Sequence, residues 1–335
     1  MFIPSFHISP TLLTHIKHIT ILVHELNKLR LSETVFAQLH SEAQGTSTYA
    51  STSIEGNPLP LTDVKRVLKS HPVQARQSEL EVLNYHHALQ TLQTPTAFTA
   101  DLILDIHRMV MADFLPAHQT GQWRREPMVV NDPRTGNVVY LPPDHQDVPA
   151  RMAELVDFVV TQTEILDPIL LAGIFHKQFV IVHPFMDGNG RTARLATQVL
   201  LAGMGLNFFP LLSFENYYNQ NVTRYFQTVG VYGNYYDLTP DFTPWLEYFA
   251  AGILDELLRL EKQIHGTQTI DTRLQPYHQA ILGFIAEHGL ITDRDYAKLA
   301  DRAKATRALD FKKLMEMGLI ERQGVGRAVH YVRRK

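Results

Sequence analysis

The chain has 335 residues, enough for more than one domain, with 45% hydrophobic residues and a formal net charge of −3. That balance excludes a protein held to nucleic acid by a global basic field. The chain contains no cysteine, which excludes disulfides, thiol catalysis and cysteine-ligated zinc.

Residues 1–17 lack a basic segment followed by an apolar core, so no signal peptide is expected. The longest apolar stretches, such as 195–206, are too short to cross a bilayer. The expectation is a soluble, cytoplasmic protein with no membrane contact.

The pattern is overwhelmingly helical. Apolar residues recur at helical spacing over 12–43, and a second helix over 47–55 stops at Gly56-Asn57-Pro58. A third starts near Thr62, with Asp63 in its first turn. Further helices are predicted over 79–92, 101–114, 149–164 and 168–182, with Pro149 and Pro168 in first turns. The only clear sheet signal in the first two-thirds lies at 128–130 and 138–141, joined by turn-forming residues 131–137. Helices resume over 192–204, 213–230 and 244–264, and the polar stretch 263–275 reads as a linker. The tail changes character. Residues 273–335 carry thirteen Lys/Arg and seven Asp/Glu, a charge of +6, which leaves −9 for the rest. Three short helices (277–288, 293–300, 305–317) and two strands about Gly324-Val325-Gly326 form a winged helix-turn-helix pattern.

The informative stretch is His183-Pro184-Phe185-Met186-Asp187-Gly188-Asn189-Gly190-Arg191-Thr192-Ala193-Arg194. An apolar helix ends at Val182, and a new helix starts near Arg191. Two glycines in the loop between them let backbone N–H groups converge on an anion, and the next helix adds its positive end. Arg191 and Arg194 are three apart, so they share a helix face and can fork onto phosphates. Asp187 is a hard oxygen ligand of the kind Mg²⁺ takes beside substrate phosphates. His183 opens the loop, where a neutral imidazole serves as a base near neutral pH. Together these groups predict a nucleotide di- or triphosphate site with a metal and a base.

The stretch matches HPFx[D/E]GNGRxxR at every defined position and so resembles the Fic family of protein adenylyltransferases. The resemblance implies that His183 deprotonates the attacking hydroxyl and that Asp187 holds Mg²⁺ on the phosphates of ATP. It implies that Gly188, Asn189, Gly190, Arg191 and Thr192 belong to the nucleotide cradle, with Arg194 on the γ-phosphate and Pro184 and Phe185 packing the loop. The hairpin resembles the family's flap, which adds a target segment as a strand. Gly121-Gln122-Trp123-Arg124 resembles the G-x-x-R before it, and Asn221 and Tyr225-Phe226 resemble the region near the nucleoside. His86, His87 and His176 have no spaced partners and read as packed histidines.

A second signature, Ser51-Thr52-Ser53-Ile54-Glu55-Gly56-Asn57, resembles the inhibitory [S/T]xxxE[G/N] motif of the subgroup with an N-terminal inhibitory helix. A carboxylate at a helix C-terminus is unfavourable by ~0.3–1 kcal/mol, so Glu55 is better placed with a cation outside its helix. The resemblance implies that this cation is Arg194, with Ser51 in the same motif.

The expected architecture is therefore mainly α: a Fic-type helical core with a small β-hairpin flap and a C-terminal winged helix-turn-helix. Residues 1–95 form an N-terminal helical region with the inhibitory helix at about 47–56. Residues 96–262 form the core, with the flap at about 127–141 and the active loop at 183–194. A linker, 263–275, leads to the winged helix, 276–335. The implied activity is AMP transfer to a Tyr, Ser or Thr of a protein target, with self-modification, and a homodimer is possible. Gly190 argues against the kinase relatives that carry Lys there. The alternatives are removal of AMP, with Glu55 orienting water, and a nucleotide-sensing regulator whose basic tail contacts DNA or protein.

Overall fold

The computed structural model describes residues 2–72, 74–92, 97–132, 135–271, 274–324 and 326–334, and in these the side chains of 34, 267–271 and 327 are left aside. The turn at 133–134, the linker residues 272–273, Val325 and the boundary at 95–96 lie outside the described residues.

The chain forms two units. The first comprises Met1–Leu29 and Ala43–Arg259, the second Arg30–Glu42 and Leu260–Lys335. It begins with α1 (Pro10–Lys28) and α2 (Glu33–Ile54). The single helix expected over 12–43 is therefore broken, and the helix expected over 47–55 is the end of a longer one. Helix α1 stops at Leu29, and the Ser32 hydroxyl accepts the Val35 N–H at 3.3 Å, opening α2 as a cap does.

Helix α2 ends in a Schellman turn. Gly56 is left-handed at φ 91°. Its N–H donates to Ser53 O at 2.9 Å, and that of Asn57 to Thr52 O at 3.1 Å. Gly56 fits because a side chain would strain that backbone, and the turn leaves Glu55 as the last residue before the chain reverses.

Next come α3 (Leu61–Ser70), α4 (Gln77–Thr91) and α5 (Ala100–Val110). Strands β1 (Val130–Asn131) and β2 (Val138–Leu141) pair antiparallel as the flap hairpin. Helices α6 (Val148–Gln162), α7 (Pro168–Val182) and α8 (Asn189–Leu201) follow. Nearly every position of α7 is buried, as expected of a helix apolar on all faces. Phe175 and Phe179 on α7 pack with Phe185, Ile106, Val110 and Leu155 in the core. This central helix delivers His183 at its end.

The helix expected over 213–230 is two, α9 (Glu215–Asn219) and α10 (Val222–Val229). The break is local chemistry: Asn221 Oδ1 accepts the Arg224 N–H at 3.0 Å and caps α10. Strand β3 (Gly233–Asn234) pairs parallel with β2, giving the order β1-β2-β3, a third strand absent from the sequence reading. Helix α11 (Thr243–Asp271) then continues past the expected end at 264, so most of the expected linker is helical.

The tail holds α12 (Pro276–His288), β4 (Leu290–Ile291), α13 (Asp293–Leu299), α14 (Lys304–Glu316), β5 (Ile320–Gln323) and β6 (His330–Arg333). The sheet order is β4-β6-β5, so the expected two-stranded hairpin gains a third strand. Ile281, Ile285, Tyr296, Phe311 and Leu314 form a separate small core. Among the described residues, no helix is long and apolar enough to cross a membrane.

Candidate active site

His183 is the C-cap of α7 and sits in left-handed backbone at φ 50°. A non-glycine residue there costs about 1–3 kcal/mol and persists only where its surroundings hold it. Three bonds do so. His183 N donates to Phe179 O at 2.9 Å, Arg124 Nε donates to His183 O at 2.9 Å, and Arg124 N donates to Pro184 O at 2.9 Å. Arg124 is buried and also donates to the carbonyls of Glu126 and Pro143, so it ties the loop to both stems of the flap. The family resemblance pointed to this arginine, and its role is to shape the loop's first residue.

The His183 ring is set by Val180, whose carbonyl lies 3.2 Å from Nδ1. A carbonyl only accepts, so Nδ1 carries the proton and Nε2 keeps its lone pair. Burial pushes the imidazole down to about 4, with Arg124 acting the same way against the Val180 bond, Glu55 and Asp187. The ring is neutral at neutral pH.

The loop closes on itself. Asn189 Oδ1 accepts the Phe185 N–H at 2.9 Å and its Nδ2 donates to Phe185 O at 2.8 Å. The Asn189 side chain thus clamps the loop through both of its polar atoms. Gly188 is left-handed at φ 78° and opens α8 as its N-cap. A Cβ there would lie 2.6 Å from Met111 Sδ, so only glycine fits. His107 of α5, which the sequence reading missed, stacks on Phe185 with centroids 3.7 Å apart. It accepts the Gly121 N–H at 2.9 Å on Nδ1, which leaves Nε2–H to meet Asp187 O at 3.1 Å. Burial pushes this imidazole also down to about 4.

Asp187 is 58% exposed in its side chain. Its Oδ1 accepts from Gly188 N at 2.5 Å and Arg191 Nη2 at 3.0 Å, while no described bond uses Oδ2. Among the described residues no group of three His, Cys, Asp or Glu could hold a metal ion. A single open carboxylate fits a cation such as Mg²⁺, which completes its shell with substrate phosphates and water.

Both loop arginines already carry carboxylates. Arg191 Nη1 donates to Glu81 Oε1 at 2.8 Å. Arg194 is fully buried and donates from Nη2 to Glu55 Oε1 at 2.8 Å, from Nε to Ser51 Oγ at 2.7 Å and from Nη2 to Ser51 O at 2.9 Å. Burial works against its charge, and Glu55 and the Tyr225 and Tyr85 hydroxyls outweigh it, so its pKa is raised. Glu55 and Ser51 are thus brought to the loop. Tyr225 is as well, but as a buried support: Arg194 Nη1 lies 3.4 Å from its hydroxyl, which lies 2.9 Å from His176 Nε2. His176 Nδ1 in turn meets Thr197 Oγ1 at 2.9 Å. The bland reading of His176 as a packed histidine thus omitted its place behind Arg194.

Two expected nucleotide residues are not presented to the loop's mouth. Thr192 is fully buried, and its hydroxyl has no described partner. Asn221 is exposed and caps α10. Its resemblance was register-dependent, and the break between α9 and α10 fixes a register that the sequence left open.

A helical core ends one buried helix in a histidine and opens the next on a glycine-rich, arginine-flanked loop, the arrangement that the Fic resemblance implies. Residues 97–201 match the Fic/DOC family model. The chain is 32% identical over 173 residues to the protein adenylyltransferase Fic of Nematostella vectensis, covering 49% of this chain and 39% of that one. It is 30% identical over 191 residues to the protein adenylyltransferase fic-1 of Caenorhabditis elegans, covering 54% and 36%. The chain thus spans well under half the length of these curated relatives. Among solved structures, a Fic family protein of Desulfovibrio desulfuricans superposes with a TM-score of 0.69 at 21% identity, over 99% of this chain and 98% of that one. Fic-1 of C. elegans superposes with a TM-score of 0.62 at 24% identity, over 77% and 73%. These likenesses extend the Fic-type fold beyond the matched domain.

Proposed function

We propose that the protein transfers AMP from ATP to the hydroxyl of a Tyr, Ser or Thr in a protein target, itself included, and that Glu55 restrains the reaction. The observation that carries this reading is the Glu55–Arg194 pair standing over Gly190 of the loop, a carboxylate where a terminal phosphate would bind.

His183 Nε2 takes the proton of the target hydroxyl. The hydroxyl oxygen bonds to the α-phosphorus as the bond from that phosphorus to the bridging oxygen breaks, and pyrophosphate leaves. The backbone N–H groups about Gly188 and Gly190 and the positive end of α8 receive the phosphates, and Arg194 takes the terminal one. Asp187 would hold Mg²⁺, whose chemistry there is to neutralise phosphate charge. Positioning and charge neutralisation supply most of such a catalyst's rate. The flap offers the free edge of β1 to the target, because β2 already pairs with β1 and β3.

The test is incubation with α-labelled ATP. His183→Ala should lose ~10²–10⁴-fold in labelling while ATP still raises the melting temperature. Labelling of this variant at the wild-type rate refutes the mechanism. Asp187→Ala should lose the cation-dependent part of the activity.

The C-terminal unit is proposed to be a winged-helix contact module. Exposed Lys304, Lys312 and Lys313 on α14 and Arg322 on β5 make duplex DNA the first partner to try. Its binding should weaken steeply with salt, and a lack of salt-dependent binding would leave protein contact as its role.

A further inference from the structure

Arg191 is almost wholly enclosed, with 6% of its side chain exposed, and its Nε has no described partner. Its two terminal nitrogens divide between two carboxylates, Glu81 at 2.8 Å and Asp187 at 3.0 Å. Glu81 belongs to α4, far from the loop in sequence, and its side chain is 12% exposed. Its second oxygen accepts from Asn57 Nδ2 at 2.7 Å, and Asn57 Nδ2 also donates to Ser78 O at 2.9 Å. One Glu81 oxygen thus faces the arginine and the other faces an anchored amide, so the carboxylate has little freedom to turn. The residue after Gly56 thereby meets the loop by a route separate from the Glu55–Arg194 pair.

The charges decide what this does. Asp187, Arg191 and Glu81 together carry a net charge of −1. Without the Glu81 carboxylate the remaining pair is neutral. An enclosed guanidinium left with one carboxylate takes it with both terminal nitrogens, because leaving part of the charge unpaired in a poorly hydrated site is costly. Asp187 would then be closed by Arg191 and poorly available to a divalent cation. With Glu81 present, Arg191 is satisfied elsewhere, one Asp187 oxygen stays open and the local charge stays negative.

We propose that Glu81 is a positioning residue for the cation site, holding Arg191 so that Asp187 stays open to a divalent metal. This rests on the reading of Asp187 as the cation ligand.

The experiment uses the full chain with Glu55→Gly as parent and Mn²⁺ as the probe. Free Mn²⁺ is counted by electron paramagnetic resonance in the presence of ADP, with an ADP-only titration subtracted. Glu81→Gln keeps the shape and removes the charge. It should raise the Mn²⁺ concentration for half-occupancy by at least about threefold, and Glu81→Ala by at least about tenfold. Labelling by Glu81→Gln should return to within about twofold of the parent at saturating Mg²⁺, since only cation affinity is affected. A merely structural residue would lower labelling at every cation concentration. Should Glu81→Ala fail to fold, Glu81→Gln carries the test. Unchanged Mn²⁺ binding in Glu81→Gln, with binding lost in Asp187→Ala, overturns this proposal alone. Unchanged binding in Asp187→Ala overturns the cation assignment and this proposal with it.

Discussion

Glu55 Oε1 lies 2.8 Å from Arg194 Nη2, and the same oxygen stands where a Cβ on Gly190 would have to go. One carboxylate therefore engages the arginine and covers Gly190. This makes a prediction for Gly190→Ala. Gly190 lacks the positive φ of Gly188, so the main obstacle to a side chain is Glu55, with Arg194 Nη1 next at 3.0 Å. Overpacking of this kind costs about 1–3 kcal/mol. The loss in melting temperature on Gly190→Ala should be larger in the wild type than in Glu55→Gly. Equal losses in the two backgrounds would place the crowding elsewhere.

Glu55→Gly should also be less stable without nucleotide. Breaking a buried ion pair by removing one partner commonly costs about 3–5 kcal/mol, and the Ser51 and Tyr225 contacts of Arg194 soften that here. ATP supplies a replacement anion. Thermal denaturation should show a lower melting temperature for Glu55→Gly and a larger upward shift with ATP than in the wild type. A shift no larger than that of the wild type would count against Arg194 as the γ-phosphate site.

Arg124→Lys should cost labelling at least about tenfold with little change in nucleotide affinity. Lysine offers a point charge where Arg124 uses a planar fork on three carbonyls. With the fork lost, His183 relaxes from its left-handed backbone and Nε2 swings off line, and a misplacement of about 1 Å can cost a hundredfold. Labelling rates and ATP titrations on the same samples check it, and a full rate in Arg124→Lys would refute the role.

The buried histidines give the acid limb a direction. Burial lowers His107 to about 4 and His176 to about 3, against an ordinary value of 6.5. The unfolded chain therefore binds these protons first as pH falls. Stability is fully present above about 6.5 and is lost as pH drops towards 4, by up to ~1.4 kcal/mol per pH unit for each histidine. Denaturant melts between pH 7 and 4.5 should show this slope, reduced in His107→Phe. A flat profile contradicts it. Because burial holds His183 to about 4, labelling should not fall between pH 8 and 6 through loss of the base.

What the sequence made legible was local. The loop from His183 to Arg194 is contiguous, so its chemistry could be read directly, as could the turn after Glu55. The residues that aim this chemistry come from elsewhere: Glu81 on α4, His107 on α5 and His176 on α7 lie alone in ordinary helical patterns. Only packing brings them to Arg191, Asp187 and Tyr225, so periodicity could not single them out. The misjudged boundaries have the same origin. The break before α2 rests on one serine hydroxyl and that before α10 on one asparagine, while the end of α11 read as a linker because its residues are polar and a helix end and a loop share that composition.

The Glu55–Arg194 pair is proposed to hold back AMP transfer. A pair favouring the closed state by about 1.4–2.8 kcal/mol hides ten- to a hundredfold of activity. The direct measurement is a paired time course with α-labelled ATP and Mg²⁺ on the wild type, Glu55→Gly and Glu55→Gly/Arg194→Ala. Labelling should rise at least about tenfold in Glu55→Gly and fall back in the double variant, because the freed arginine binds the γ-phosphate. Equal rates in the wild type and Glu55→Gly would contradict the account.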